Sequence, residues 1–366
     1  MKLLQPKLFA FSLFFCLFFM SFSSLYAQDA NQLLQEGIAL HDKGKYNEAL
    51  KKYEEALKIV PKSPVILYEM ALTYFHKRDY KTAIKYSDKV IKSNSTSTEQ
   101  GYIIKGSALD MLGKTKKSIK LLDGAAKKYP QNHLIRYNLA LNYYKIGDLK
   151  KAEEELMNSI GLNPEHASSH LILGFVEYDR GRKIPSMMAL NFFLLLEPSS
   201  QRSEKAFEIL QKQLVGNVKK NGNNEFTINI GGAKDDEFTV IEMAMSLVNA
   251  TKAMYSSKEL EDSINEKLEE NDSTKTEKIV LFDDLDTEEG KFRFNTKSFF
   301  SLLESKDNKE NIWWSLYAPI FHALSESEHL ETYCYWVSQS SSEKAAKWVE
   351  ENTEKVTELK KWLARN

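Results

Sequence analysis

Residues 33–61 read LLQEGIALHDKGKYNEALKKYEEALKIVP, and this stretch decides the architecture. Two helix-period segments flank a DKGK turn, with Gly44 as the break and Pro61 as the stop. The same punctuation returns down the chain. Gly113, Gly147 and Gly181 lie 34 residues apart, and Pro130, Pro164 and Pro198 keep that step. Gly44 and Pro61 each precede the first member of their series by 69 residues, two periods with one residue inserted. A fixed period of this length, written as helix, turn and helix, marks a repeat architecture in which each unit buries its apolar face against the next.

Set in register, five units begin near Ala30, Pro64, Glu99, His133 and Ala167 and cover nearly half of the chain. Gly37, Ala71, Gly106, Ala140 and Gly174 share one place in the first helices, and Ala49, Ala83 and Ala152 share another early in the second. Glycine inside a helix costs about 1 kcal/mol relative to alanine. Its return at one register predicts a neighbouring backbone too close for a side chain. Ala56 and Ala125 suit close packing later in the second helix, with Tyr46, Tyr53, Tyr80 and Leu156 supplying bulk. Together these residues resemble the tetratricopeptide repeat closely. The resemblance implies an all-α solenoid of about five helix-turn-helix repeats over residues 28–201, followed by a mostly helical C-terminal domain.

Departures show where the array changes character. Arg78 replaces the turn glycine of the second unit and Ser95 its closing proline. In the fifth unit Pro185 stands near the start of the second helix and Phe193 where alanine is usual, within ALNFFLLLEP, a segment apolar on nearly every side. Such a helix must be covered on more than one side. Ala206, Phe207, Leu210 and Leu214 fall on one face of a capping helix at 202–216 and supply one cover. The C-terminal region is expected to supply the rest.

In tetratricopeptide arrays the first helices line the concave surface. The resemblance places there Leu34, Ile38 and His41, then Tyr68, Leu72, Phe75 and His76, then Ile103, Ser107 and Met111. Tyr137, Leu141, Tyr144 and Lys145 follow, and the fifth unit adds Leu171, Phe175, Tyr178 and Asp179. Some relatives clamp a peptide's C-terminal carboxylate with basic and amide side chains on this face. Here the equivalent places hold Leu34, Tyr68, Ile103, Tyr137 and Leu171, none of them cationic, so that activity does not carry over. The lining suits a partner protein's or peptide's amphipathic helix or extended apolar segment. A stripe of this length exceeds what a soluble monomer leaves open, so a partner or the chain's own C-terminal region should cover it.

The first residues, MKLLQPKLFAFSLFFCLFFMSFSSLYAQDA, combine Lys2 and Lys7, an apolar run from Leu8 to Phe22 and a small residue at Ala27. This reads as a signal peptide over 1–27, cleaved before Gln28, with an uncleaved anchor as the alternative because the run is near the lower length for spanning a bilayer, and it predicts export to the periplasm or cell surface. Phe15 before Cys16 argues against lipidation. Loss of the leader removes two lysines and no acid, leaving 48 basic against 51 acidic residues and no electrostatic case for nucleic acid. Cys334 then stands without a disulfide partner, and no later stretch is long and apolar enough to span a membrane.

All five tryptophans lie beyond the repeats, at 313, 314, 336, 348 and 362. A linker with a short strand, EFTINI, is expected over 217–234, and a mainly helical domain over 235–366, with helices at 235–254, 260–268, 296–303, 313–324, 328–338 and 342–363. In the last, Ala345, Val349, Val356, Leu359 and Leu363 form one stripe.

Catalytic and metal patterns are thin. IVLFDDLDTEEG places Asp284 and Asp286 two apart as in aspartyl phosphatases, yet Glu288 stands where a hydroxyl is wanted, and Glu289 fails the glycine place of a calcium loop. His166 and His170 lie four apart without a carboxylate that would complete a zinc pattern. Cys334 within TYCYW reads as a buried thiol. Six basic residues meet five acidic ones between Ser342 and Asn366, so attraction to anionic lipid is weak. The expectation is a non-enzymatic exported scaffold without cofactor or metal. The competing readings are an enzyme with its site in the C-terminal region and a peripheral membrane protein held by its last helix.

Overall fold

The computed structural model describes residues 28–215, 218–220, 226–228, 237–254, 287–304 and 311–365. The leader, the expected helix at 260–268 and the aspartates of IVLFDDLDTEEG lie outside the described residues. The described residues are all-α apart from one small hairpin, and the chain divides after Asp148 into two units.

The first unit contains α1 (28–42), α2 (Tyr46–Ile59), α3 (Pro64–His76), α4 (Tyr80–Ser93), α5 (Thr98–Met111), α6 (Thr115–Lys128) and α7 (His133–Lys145). Each first helix ends in a left-handed residue. Gly44, Gly113 and Gly147 have φ of 71°, 71° and 79°, and Arg78 takes the same conformation at 64°. The wrap is hydrogen-bonded alike at both kinds of residue. Lys45 N–H donates to the Leu40 carbonyl at 2.9 Å, and Asp79 N–H to the Tyr74 carbonyl at 2.9 Å. Such closure satisfies carbonyls that the helix end leaves open. Asp79 and Asn132 then cap the helices that follow, accepting from Thr82 N–H at 3.1 Å and Ile135 N–H at 3.0 Å.

The repeating helix glycines face side chains, not the backbone that their periodicity suggests. A methyl group on Gly37 would meet the Tyr53 ring at 2.3 Å, and one on Gly106 would meet Leu122 at 2.9 Å. Tyr53 and Leu122 are buried large residues of the second helices, and the glycine makes room for them. Ser118 stands where sister units carry Ala49, Ala83 and Ala152. Its hydroxyl donates to the Gly106 carbonyl at 2.7 Å and accepts from Asn142 Nδ2 at 2.8 Å.

The second unit begins with α8 (Leu149–Leu162), α9 (Ala167–Asp179), α10 (Lys183–Leu196) and α11 (Gln201–Val215). A hairpin follows, β1 (Val218–Lys220) against β2 (Phe226–Ile228), antiparallel with Val218 opposite Ile228. Then come α12 (Thr239–Met254), α13 (Glu288–Ser301), α14 (Ala318–Glu326) entered through a π-helical turn at Trp313–Tyr317, α15 (Leu330–Ser338), α16 (Glu343–Glu351) and α17 (Thr353–Leu363).

Helix α10 is enclosed as its composition requires, with every residue from Ile184 to Leu194 buried. Ala206, Phe207, Leu210 and Leu214 of α11 are buried on one side. From the C-terminal helices, Tyr333 Oη donates to Asn191 Oδ1 at 2.7 Å and Trp336 Nε1 to the Leu195 carbonyl at 3.1 Å. Helix α13 starts earlier than apolar spacing indicates, because Thr287 Oγ1 accepts Gly290 N–H at 3.0 Å and caps it there. The expected final helix over 342–363 is two helices broken at Asn352, whose φ of −119° and ψ of 42° leave the helical region.

Around the turn from α9 to α10, the buried Glu177 carboxylate accepts from Arg180 at 3.0 Å and Arg182 at 2.7 Å. Both arginines also bind Glu153. Burial first and Glu153 second push the Glu177 carboxyl up to about 7, against the pull of both arginines.

Candidate binding groove

The first helices of the leading unit position the candidate groove. In α3, Tyr68, Leu72 and Phe75 are half-buried and pack on a core of Ala71, Ala83, Ile104 and Ala108. Ile38 of α1 packs on the core built around Leu50, Tyr53 and Met70, while Ile103 of α5 packs on that of Leu122, Ile135 and Leu139. Tyr137, Leu141 and Tyr144 of α7 are half-buried, and Met111 is 54% exposed. Their half-burial follows from helical period: Tyr68 and Phe75 lie three before and four after buried Ala71, and Tyr137 and Tyr144 stand likewise to buried Ala140, on the same side of each helix. Leu34 is buried, so it adds packing more than open surface.

Polar links join successive first helices. His41 Nδ1 lies 2.7 Å from Thr73 Oγ1, and Ser107 Oγ donates to Asn138 Oδ1 at 3.1 Å. Asn132 Nδ2 donates to Glu99 Oε2 at 2.6 Å, and Lys145 Nζ approaches both Asp110 carboxylate oxygens at 3.0 Å. Periodicity does not mark these pairs, since each is a different chemistry at a different register.

An aromatic knot closes the ends of α1 and α3. His41 meets His76 edge to face at 5.1 Å and Tyr46 at 5.3 Å, and Phe75 meets Tyr80 at 5.5 Å. Burial, then the neighbouring His76, lowers the His41 imidazole below its ordinary value. Burial and the Glu69 charge raise Tyr68, and burial with Asp42 raises Glu69. The sequence names His41, Tyr68 and His76 but gives no sign of Glu69, whose carboxyl is half-buried.

In the second unit Leu171 is buried, Phe175 half-buried and Tyr178 exposed. His170 is withdrawn from metal chemistry by its partners, with Nδ1 2.7 Å from Tyr317 Oη and Nε2 2.8 Å from the Pro164 carbonyl. His166 Nδ1 lies 2.8 Å from Ser169 Oγ. Cys334 is a free buried thiol, pushed well up by burial. Among the described residues no three His, Cys, Asp or Glu side chains converge as a metal-binding group, and no helix is long and apolar enough to cross a membrane.

Comparison with known proteins recognises tetratricopeptide repeats in the chain. A TPR repeat model matches residues 37–77, and a tetratricopeptide repeat model matches 65–97 and 134–166. A TPR repeat-containing protein, MJ1428, of Methanocaldococcus jannaschii is 24% identical over 186 residues, 49% of this chain and 33% of that one. The BBSome complex member BBS4 of Bos taurus is 25% identical over 154 residues, 42% of this chain and 29% of that one. The chain thus spans about a third of the length of these relatives. Among solved structures, the thermophilic TPR protein TTC0263 of Thermus thermophilus is similar at TM-score 0.44 and 21% identity, covering 50% of this chain and 99% of that one. YrrB, described as a TPR protein with an unusual peptide-binding site, is similar at TM-score 0.37 and 17% identity, covering 52% and 97%.

Proposed function

We propose that the chain is an exported protein-interaction scaffold whose first four repeats hold an apolar helix or extended segment of a partner against α1, α3, α5 and α7. The observation that carries this reading is the row of half-buried Ile38, Tyr68, Leu72, Phe75, Ile103, Tyr137, Leu141 and Tyr144 side chains on those helices. Each has an apolar flank packed inside and a remaining face that a partner would desolvate, and tyrosine adds a hydroxyl at the edge of such a contact. The likeness of the repeats to TPR proteins supports a scaffold, and the absence of a cationic clamp turns the preference from a carboxylate terminus to apolar area. The leader at 1–27 supports export.

Photo-crosslinking tests both halves of the proposal. Benzoylphenylalanine placed at Tyr68 or Tyr137 should capture one and the same partner in the envelope fraction, and placed at exposed Lys89 or Lys120 it should capture none. Equal capture from both sets would remove the groove assignment. Recovery of the full-length protein with its leader intact in the soluble cytoplasm would remove the export assignment.

A further inference from the structure

We propose that a cavity among the C-terminal helices is a binding site for an organic cation with an apolar stem, of the arginine side-chain type. The cavity measures about 330 Å³, within the range of small-ligand sites. Its floor is apolar. Phe207 of α11 and Phe292 of α13 meet edge to face at 4.9 Å, and the Cys334 thiol lies beside them, all three buried.

The mouth is acidic, with Glu288, Glu289 and Glu331 in the lining against one cation, Arg293. Each carboxylate already uses one oxygen on a cation of the protein itself. Glu288 Oε1 takes Lys291 at 2.8 Å, Glu289 Oε2 takes Lys344 at 3.3 Å, and Glu331 Oε1 takes Arg293 at 2.6 Å. The second oxygen of each has no protein partner among the described residues. Three carboxylates thus stand around one apolar well, Glu289 the most sheltered at 24% exposed and Glu288 the most open at 81%.

The donor must be extended. These acids and Cys334 do not converge as a metal-binding group, so a small cation cannot reach several of them at once. A guanidinium presents five N–H donors in one plane and lies well against aromatic rings, while its methylene stem suits Phe207 and Phe292. An anionic ligand would meet three carboxylates and one guanidinium in the lining, where Arg293 is already engaged by Glu331 while Lys291 and Lys344 pair with Glu288 and Glu289 from outside it.

The test uses the full chain and saturation-transfer NMR with N-acetylarginine amide, its uncharged isostere N-acetylcitrulline amide, and phenylguanidine. The arginine probe should bind saturably at millimolar concentration and the citrulline probe at least roughly tenfold more weakly, the order expected for losing a charge-assisted hydrogen bond. A glycine-serine peptide with one internal arginine separates the sources. Tighter binding of the peptide than of phenylguanidine identifies a polypeptide side chain as the ligand, and the reverse identifies a free small molecule. Glu289→Gln should weaken the arginine probe, and Ser341→Trp, at an exposed lining position, should block it. Circular dichroism confirms that each variant folds, and Ser341→Trp carries the test if Glu289→Gln does not. Equal binding of arginine and citrulline probes, no binding of either, or binding unchanged in folded Ser341→Trp would overturn the proposal.

Discussion

Tyr317 Oη lies 2.7 Å from His170 Nδ1, a buried hydrogen bond between the fifth repeat and the helices that follow it. The other ring nitrogen faces the Pro164 carbonyl at 2.8 Å, which requires Nε2–H and leaves Nδ1 to accept from the phenol. The ring stacks on Phe192 at 4.4 Å. A polar pair thus fixes where an otherwise apolar face of α9 and α10 meets the C-terminal helices. It is satisfied on every side, as buried polar groups must be.

That arrangement makes stability depend on pH with a definite sign. Burial lowers His170 from 6.5 to about 4. The unfolded chain therefore binds the proton more readily. The stability tied to the neutral ring is fully present above pH 6.5 and falls by about 3 kcal/mol as pH drops toward 4. Glu177 runs the other way, because its raised carboxyl penalises the fold as pH climbs from 4.5 to 7. The difference between wild type and His170→Gln isolates the histidine. Urea midpoints should separate most at pH 8 and converge as pH approaches 4. A constant separation would show that His170 does not titrate in this window.

Two glycine substitutions should have opposite signs. Gly106→Ala places a methyl group 2.9 Å from the buried Leu122 side chain and should destabilise by about 1–3 kcal/mol. Gly124, within α6, has nothing within 4 Å of such a methyl, so Gly124→Ala should gain up to about 1 kcal/mol from helix propensity alone. Thermal melts that moved in the same direction would refute the steric account of the repeated glycine.

Arg78 holds the left-handed conformation that glycine holds at 44, 113 and 147. Arg78→Gly should stabilise by roughly 0.5–1 kcal/mol, relief of backbone strain offset in part by the freer unfolded chain. The hydrogen bonds of the turn come from backbone groups and survive the change. A lower melting temperature would mean that the arginine side chain makes a contribution larger than the strain.

The repeats are legible because steric demands recur. The turn glycines, the alanines at 49, 83 and 152 and the nearly all-apolar segment at 189–196 each state a requirement that one residue type answers, and the structure meets each. The neighbour of the helix glycines is not legible, because a small residue shows that something is close without showing whether it is backbone or a ring such as Tyr53. The break at Asn352 is also hidden, since α16 and α17 keep one apolar stripe across it. Glu69, Thr73 and the Glu177–Arg182 pair are invisible for a different reason. The partner of Thr73 lies 32 residues away in another helix, and Glu177 and Arg182, five apart, meet only across the turn between α9 and α10, which side-chain charge alone does not foretell.

Ser118 and Asn142 offer a sharper trial of how a repeat accommodates polarity. Sister positions carry alanine, at 49, 83 and 152, so Ser118→Ala is compatible with the backbone of the unit. It would still strand Asn142 Nδ2, now 2.8 Å from the serine hydroxyl and buried, at about 1–3 kcal/mol. Position 142 is answered by Val176 one period later, where the equivalent of Ser118 is Ala152; two periods on, Ser186 receives Gln213 Nε2 at 3.1 Å in place of an asparagine. The double variant Ser118→Ala with Asn142→Val removes donor and acceptor together, so it should recover most of the loss. A double-mutant cycle should therefore give a coupling of about 1 kcal/mol or more. Additive losses would show that the two side chains stabilise the repeat through separate contacts.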